Sequence, residues 1–176
     1  MITSTMKYVF WFCFALSGYV YLLYPLLVSL LARLAGRRYE KAGIEPPISI
    51  IITAYNEEQH MVRKIENTLA LDYPKDRMEI IVGSDGSTDR TNEIVESYKD
   101  RGVHLRAFPE NRGKTMVQND CVLAATHEII VFMDAASLCK EDCLKRLVSN
   151  LADPRIGAVA GRVVFTQLCK NLTTES

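Results

Sequence analysis

Two apolar patterns divide this chain. From Tyr8 to Ala32 no residue is charged, and the run is longer than the ~20 residues a helix needs to cross the hydrocarbon core of a bilayer. Beyond Pro46-Pro47 the apolar residues come in short blocks separated by polar, turn-forming segments. The first pattern predicts a transmembrane anchor within residues 1–35, in which Pro25 is tolerated as a kink. Residues 36–47 read as a polar, extended juxtamembrane connector. The second pattern predicts a domain over residues 48–176.

Within that domain the blocks alternate in period. Ile48–Thr53 is almost wholly apolar, as expected of a parallel strand covered on both faces. From about Glu57, Met61, Ile65 and Leu69 recur every fourth residue and mark the buried stripe of a helix. Glu79–Gly83 reads as a second strand. The next helix has Ser87 or Thr88 as its cap, Asp89 in its first turn, and Ile94, Val95 and Tyr98 facing inward. Val103–Phe108 is a third strand, and a helix runs from Lys114 to about Ala125. Glu128–Met133 is a fourth strand, followed by a helix near Lys140–Leu151 that buries Leu144, Leu147, Val148 and Leu151. Gly157–Ala160 begins a fifth strand. Strand and helix in alternation predict an α/β fold with a mostly parallel sheet and flanking helices. Its strand-ending loops then share one edge, where open α/β sheets bind ligands.

Charge refines the picture in two places. Acidic and basic residues balance at 21 each, which gives no support to a nucleic-acid partner. Around the apolar run the balance is local: Lys7 precedes it, while Arg33, Arg37, Arg38 and Lys41 follow. Positive charge favours the cytoplasmic side, so the amino terminus is expected outside and the domain in the cytoplasm. A cleavable signal is a poorer reading, because its apolar region is shorter and Leu31-Ala32-Arg33-Leu34-Ala35 is a poor cleavage site. The cysteines at 13, 121, 139, 143 and 169 fit no trusted metal spacing and read as reduced thiols. The sequon Asn171-Leu172-Thr173 has no use on a cytoplasmic segment.

The candidate chemistry lies at the strand ends. Asp134 closes Val131-Phe132-Met133-Asp134, where a carboxylate can ligate a divalent cation carrying phosphates or cap the following helix, a role Ser137 could take instead. Asp85, in Ser84-Asp85-Gly86-Ser87-Thr88-Asp89, can accept from a base or ribose, or close an Asp-Gly turn on its own backbone. Tyr55 offers an aromatic face to a nucleobase or to packing. Asn56 is a possible cap of the first helix. Lys114, starting a helix after Gly113, can meet a diphosphate or remain solvated. No Gly-x-Gly-x-x-Gly follows a strand, which argues against a dinucleotide-binding dehydrogenase.

Taken in order, Ile50-Ile51-Ile52-Thr53-Ala54-Tyr55-Asn56-Glu57-Glu58, the Ser84–Asp89 segment, Asn111-Arg112-Gly113-Lys114 and Phe132-Met133-Asp134-Ala135 resemble family 2 glycosyltransferases. The resemblance covers about residues 47–165 and is nearest to the membrane-bound processive synthases of cellulose, hyaluronan and poly-N-acetylglucosamine type. It implies a GT-A fold and inverting transfer from a nucleotide sugar, commonly UDP-linked, to a glycan or lipid-linked acceptor in polysaccharide or cell-envelope synthesis. Thr53, Tyr55 and Glu57 would line the nucleoside pocket, Asp85 would contact base or ribose, and Lys114 would lie near the donor. Asp134 would be the first acid of an Asp-x-Asp motif holding Mg²⁺ or Mn²⁺. Three departures stand out. Ser84 replaces the first of two consecutive aspartates, and Ala136 replaces the second metal acid. No later acidic base motif or Gln-x-x-Arg-Trp occurs; Glu175 is the last acid. The chain therefore reads as the donor-binding half of a longer enzyme, with the general base elsewhere. The alternative is a non-catalytic nucleotide-sugar-binding or assembly module.

Overall fold

The computed structural model describes residues 2–35 and 40–164. Arg37, Arg38, the first residues of the connector, Cys169, the sequon and Glu175 lie outside the described residues. By its contacts the chain forms two units, residues 1–39 and 40–176.

The first unit is helical. Helix α1 (Ile2–Gly18) passes through a widened π turn (Tyr19–Leu23) into α2 (Tyr24–Ala35). Pro25 explains the widening. It has no N–H to give to Tyr21, and its ring would press on that carbonyl in a regular helix. Instead Tyr24 N bonds to Tyr19 O, five residues back. The stretch Thr5–Leu34 is long and apolar enough to cross a membrane, and none of it is buried within the protein.

The second unit is a four-stranded parallel sheet in the order β3-β2-β1-β4. The strands are β1 (Ile48–Ala54), β2 (Met78–Asp85), β3 (Val103–Phe108) and β4 (Ile129–Asp134). Between them lie the helices α3 (Glu58–Leu69), α4 (Thr91–Glu96) and α5 (Lys114–Ala124), and α6 (Cys143–Val148) follows β4. Side-chain alternation along β1 sorts its isoleucines into two layers. Ile48, Ile50 and Ile52 join Met61 and Ile65 of α3, Val95 of α4, and Leu144 and Val148 of α6. Ile51 faces the other way, onto Ile81, Val117 and Cys121 beside α5. Gly83 lets α5 come this close, since a Cβ there would lie 2.6 Å from Val117 Cγ1 and 2.7 Å from Cys121 Sγ. Each fully buried isoleucine contributes on the order of 1.5–3 kcal/mol.

Three expectations need correction. The helix after β2 begins at Thr91 and is not capped by Ser87 or Thr88; Asp89 Oδ1 instead accepts from Thr91 N at 3.0 Å. Ser87 and Thr88 are committed to Asn56. The last helix is shorter than expected: α6 is followed by a 3₁₀ turn (Ser149–Ala152), with Leu144 and Val148 buried while Leu147 and Leu151 are half-buried. Gly157–Ala160 forms no strand and is exposed. Its glycine and two alanines bring little apolar area to a sheet, and no described neighbour offers it a ladder of hydrogen bonds.

Residues 40–46 form no regular element, turn tightly where Ile44 N donates to Ala42 O (2.9 Å), and are tied to the rest of the second unit. Glu40 N donates to Asp153 Oδ2 (3.3 Å) and Ala42 N to Ser149 O (3.2 Å). Arg77 Nη1 donates to Glu45 O (2.9 Å) and the Tyr73 hydroxyl to Pro46 O (2.5 Å).

Candidate functional site

The carboxyl ends of β1, β2 and β4 and the start of α5 enclose an open cleft of about 470 Å³. Thr53, Tyr55, Glu57, Asp85, Lys114 and Asp134 all line it, together with Asn111, Gly113, Ala135 and Ala136. Register explains the convergence. In the parallel ladders Thr53 stands opposite Asp134, and Ala54 opposite Ser84.

Asp85 is 5% exposed, and both its oxygens are engaged. Oδ1 accepts from Arg112 N at 2.7 Å and Oδ2 from Gly113 N at 2.9 Å. It therefore holds the Asn111–Gly113 loop in place; the alternative of an Asp-Gly turn closed on its own backbone is not what its oxygens do. Each carboxylate oxygen has a second lone pair available to a ligand. The following Gly86 has φ +70°, and a Cβ there would lie 2.5 Å from Asn111 N. Ser84, at the position of the absent aspartate, is wholly buried, and its Oγ donates to Ser87 Oγ at 2.8 Å.

The loop after β1 is sewn to the loop after β2. Asn56 occupies the left-handed region (φ 53°) that its short polar side chain tolerates. It does not cap α3. Its Oδ1 accepts from Thr88 N (2.8 Å), while its own N–H donates to Ser87 Oγ (3.1 Å). Glu57 N donates to Thr91 Oγ1 and Glu58 N to Asp89 Oδ2. Burial pushes the Asp89 carboxyl up, but hydrogen bonds from Thr91 and Glu58 outweigh it and hold the group below its ordinary value. Tyr55, on this fixed loop, leaves its ring half exposed beside the cleft.

Across the cleft, Lys114 Nζ donates to Asp134 Oδ1 in an ion pair whose members are both solvent-accessible. Asp134 caps no helix. Neither does Ser137, whose N–H and Oγ both turn back to Asp134 O at 3.2 and 3.0 Å. The result is a tight turn with Ala135 and Ala136 at its centre. Among the described residues no three of His, Cys, Asp and Glu converge as a metal-binding group. Asp134 is a single accessible carboxylate beside a methyl. It suits a hard cation that takes most of its oxygens from phosphates and water, not an all-protein cage.

Two polar residues went unnoticed in the sequence. Lys64 and Asn67 of α3 lie beneath the Asp134–Cys139 segment. Lys64 is fully buried and donates to Ser137 O at 2.9 Å. The available signal was a lysine lying within the Met61–Ile65–Thr68 stripe. Cys13, Cys121, Cys139 and Cys143 are free. Burial and its neighbour Cys139 push the Cys143 thiol up to about 11.

The profile of the family described as Glycosyl transferase family 2 matches residues 49–175. The chain belongs to this family. As a family 2 glycosyltransferase domain it has relatives among bacterial glycan synthases. The poly-β-1,6-N-acetyl-D-glucosamine synthase of Staphylococcus aureus (strain COL) is 32% identical over 116 residues, covering 65% of this chain and 28% of that protein. The probable glycosyltransferase YdaM of Bacillus subtilis (strain 168) is 32% identical over 135 residues, or 73% of this chain and 32% of the relative. The chain thus spans about a third or less of the curated relatives it matches. Among solved structures, the mannosyltransferase PcManGT from Pyrobaculum calidifontis, in complex with GDP-Man and Mn²⁺, aligns with a TM-score of 0.71 at 31% identity. That match covers 82% of this chain and 44% of the other. S. aureus TarS 1-349 in complex with UDP-GlcNAc aligns with a TM-score of 0.54 at 27% identity, over 57% of this chain and 29% of TarS. The parallel sheet with flanking helices is accordingly a GT-A fold.

Proposed function

We propose that the cleft binds the nucleoside diphosphate of a UDP-sugar, and that the protein transfers the sugar with inversion to a glycan or lipid-linked acceptor in polysaccharide or cell-envelope synthesis. The observation that carries this reading is the meeting of Tyr55, Asp85, Lys114 and Asp134 in one cleft at the carboxyl edge of a parallel sheet. TarS, a structural relative, was solved with UDP-GlcNAc. In this reading Tyr55 stacks on the base, and Asp85 accepts from base or ribose while it holds the Asn111–Gly113 loop. Lys114 turns from Asp134 to the diphosphate. Asp134 holds Mg²⁺ or Mn²⁺, which when bound neutralises charge on the leaving diphosphate; PcManGT was solved with Mn²⁺. The general base is assigned to no described residue.

The exposed apolar helix Thr5–Leu34 supports a membrane anchor. The basic residues after it support a cytoplasmic domain. The test of the site is calorimetry of UDP with the full chain in detergent. Binding should strengthen with Mn²⁺, and Asp134→Ala should abolish that strengthening. Binding indifferent to Mn²⁺ in the parent would overturn the metal role. UDP binding without metal dependence and without turnover would instead favour a binding or assembly module, the reading that Ala136 supports.

A further inference from the structure

Lysine is almost never fully buried unless it is paired, yet Lys64 is buried and, among the described residues, has no carboxylate within hydrogen-bond reach. Its Nζ donates to Ser137 O at 2.9 Å and lies 3.6 Å from Met133 Sδ. Burial pushes the amine below its ordinary value, against the pull of Cys139, Asp134 and Cys143. Such a group costs stability that an apolar side chain of the same length would not. What it holds is therefore informative.

One helical turn along α3, Asn67 makes a two-point contact with the backbone of Cys139. Its Nδ2 donates to Cys139 O at 2.9 Å, and its Oδ1 accepts from Cys139 N at 2.8 Å. Residues three apart share a helix face, so Lys64 and Asn67 together grip the chain just after β4. Between Asp134 and that grip lie only Ala135 and Ala136, whose side chains make no polar contact. The Asp134 turn is closed from within by Ser137 and is anchored from below at Ser137 O and at Cys139. Above, among the described residues, Asp134 is ion-paired with the exposed Lys114 alone. With a methyl at Ala136 there is no second acid to fix a cation, and the placing of one carboxylate becomes correspondingly important.

We propose that Lys64 and Asn67 are positioning residues for the donor site: they set the Asp134–Ser137 turn so that its single carboxylate can share a divalent cation with a nucleoside diphosphate. This rests on the reading of the cleft as a donor site. It goes beyond that reading in assigning the accuracy of the site to a buried polar face of α3. Partners that orient a ligand without touching the metal commonly change metal affinity 10–100-fold when removed.

The experiment compares Lys64→Met and Asn67→Ala with the parent, as full chains in detergent, by two measurements. Methionine fills the space of the lysine stem, so Lys64→Met should melt at or above the parent temperature. Hydrogen exchange without nucleotide or metal should quicken at the amides of 135–139 in both variants and stay unchanged in β1 and β2. Calorimetry should show the Mn²⁺-dependent gain in UDP affinity reduced at least about tenfold, with the affinity in EDTA unchanged. Unaltered exchange at 135–139, or faster exchange with the full Mn²⁺ gain retained, would overturn the proposal. Equal loss of affinity with and without Mn²⁺ would also overturn it, as that reports general loosening. A parent chain that binds no UDP would overturn the reading of the cleft, and the positioning role with it; a parent that binds normally beside undiminished variants would overturn the positioning role alone.

Discussion

Lys114 and Asp134 form an ion pair across the mouth of the cleft, from the first residue of α5 to the last of β4. Solvent screens it, so its contribution to stability is small. In the proposed donor site its importance is competitive, because a cation on Asp134 and a phosphate on Lys114 would each draw on a charge the pair now neutralises. Lys114→Met should leave the urea midpoint nearly unchanged and weaken UDP binding about tenfold, the equivalent of one charge-assisted hydrogen bond. Denaturation and calorimetry on the same preparation separate the two effects.

Asp85 should behave differently, since it carries structure as well as site. Asp85→Ala leaves the N–H groups of Arg112 and Gly113 without their partner. Both residues are exposed, so water can take up their N–H groups, and the cost is that of the lost bonds, about 1.5–3 kcal/mol for one to a charged group. The expected result is a loss of that order per donor in urea denaturation, together with loss of UDP binding. Asp85→Asn keeps one acceptor oxygen and should lie between parent and alanine variant in stability.

Gly86 has no tolerated replacement. Alanine would meet the left-handed penalty of about 1–2 kcal/mol and a Cβ contact of 2.5 Å with the backbone of Asn111. Gly86→Ala should destabilise the fold by more than about 2 kcal/mol, read as a lowered urea midpoint. Asn56→Ala loses the Thr88 bond and its αL tolerance. It should cost about 1–2 kcal/mol and raise protease sensitivity between residues 55 and 58.

Acid should weaken the domain through groups such as Glu79. Burial pushes this carboxyl up, but hydrogen bonds from Ser49 Oγ and from Thr126 N and Oγ1 outweigh it, leaving it below the ordinary 4.5. A group depressed on folding adds stability above its unfolded value, and that stability disappears as pH falls through the folded one. Glu79→Gln should therefore lower stability at neutral pH and flatten the loss seen on going below pH 4.5. Equilibrium unfolding at a series of pH values gives the slope.

The sheet was legible because its strands are apolar blocks bounded by turn residues. Ile48–Thr53 needed only one more residue to match β1. The cleft was legible too, since an alternating α/β order puts successive strand ends together wherever they fall in sequence. Less could be read where a polar side chain serves a distant backbone. Asn67 and Cys139 are far apart in sequence, and nothing in either residue's neighbours announces the contact. Lys64 was obscured for a related reason: its charge labels it as a surface residue, whereas its position in the α3 stripe is a buried one. The absent strand at Gly157–Ala160 shows the opposite error. Local composition permitted extension, but a strand exists only where a neighbour completes its hydrogen bonds.

The ties on residues 40–46 carry a mechanical consequence. Tension arriving along the chain at Glu40 meets Asp153 and Ser149 first, then Arg77 and Tyr73. These anchors lie after α6 and before β2, so the load is shared among them before it reaches Ile48. The register that sets Thr53 opposite Asp134 is thereby insulated from whatever pulls on the preceding segment.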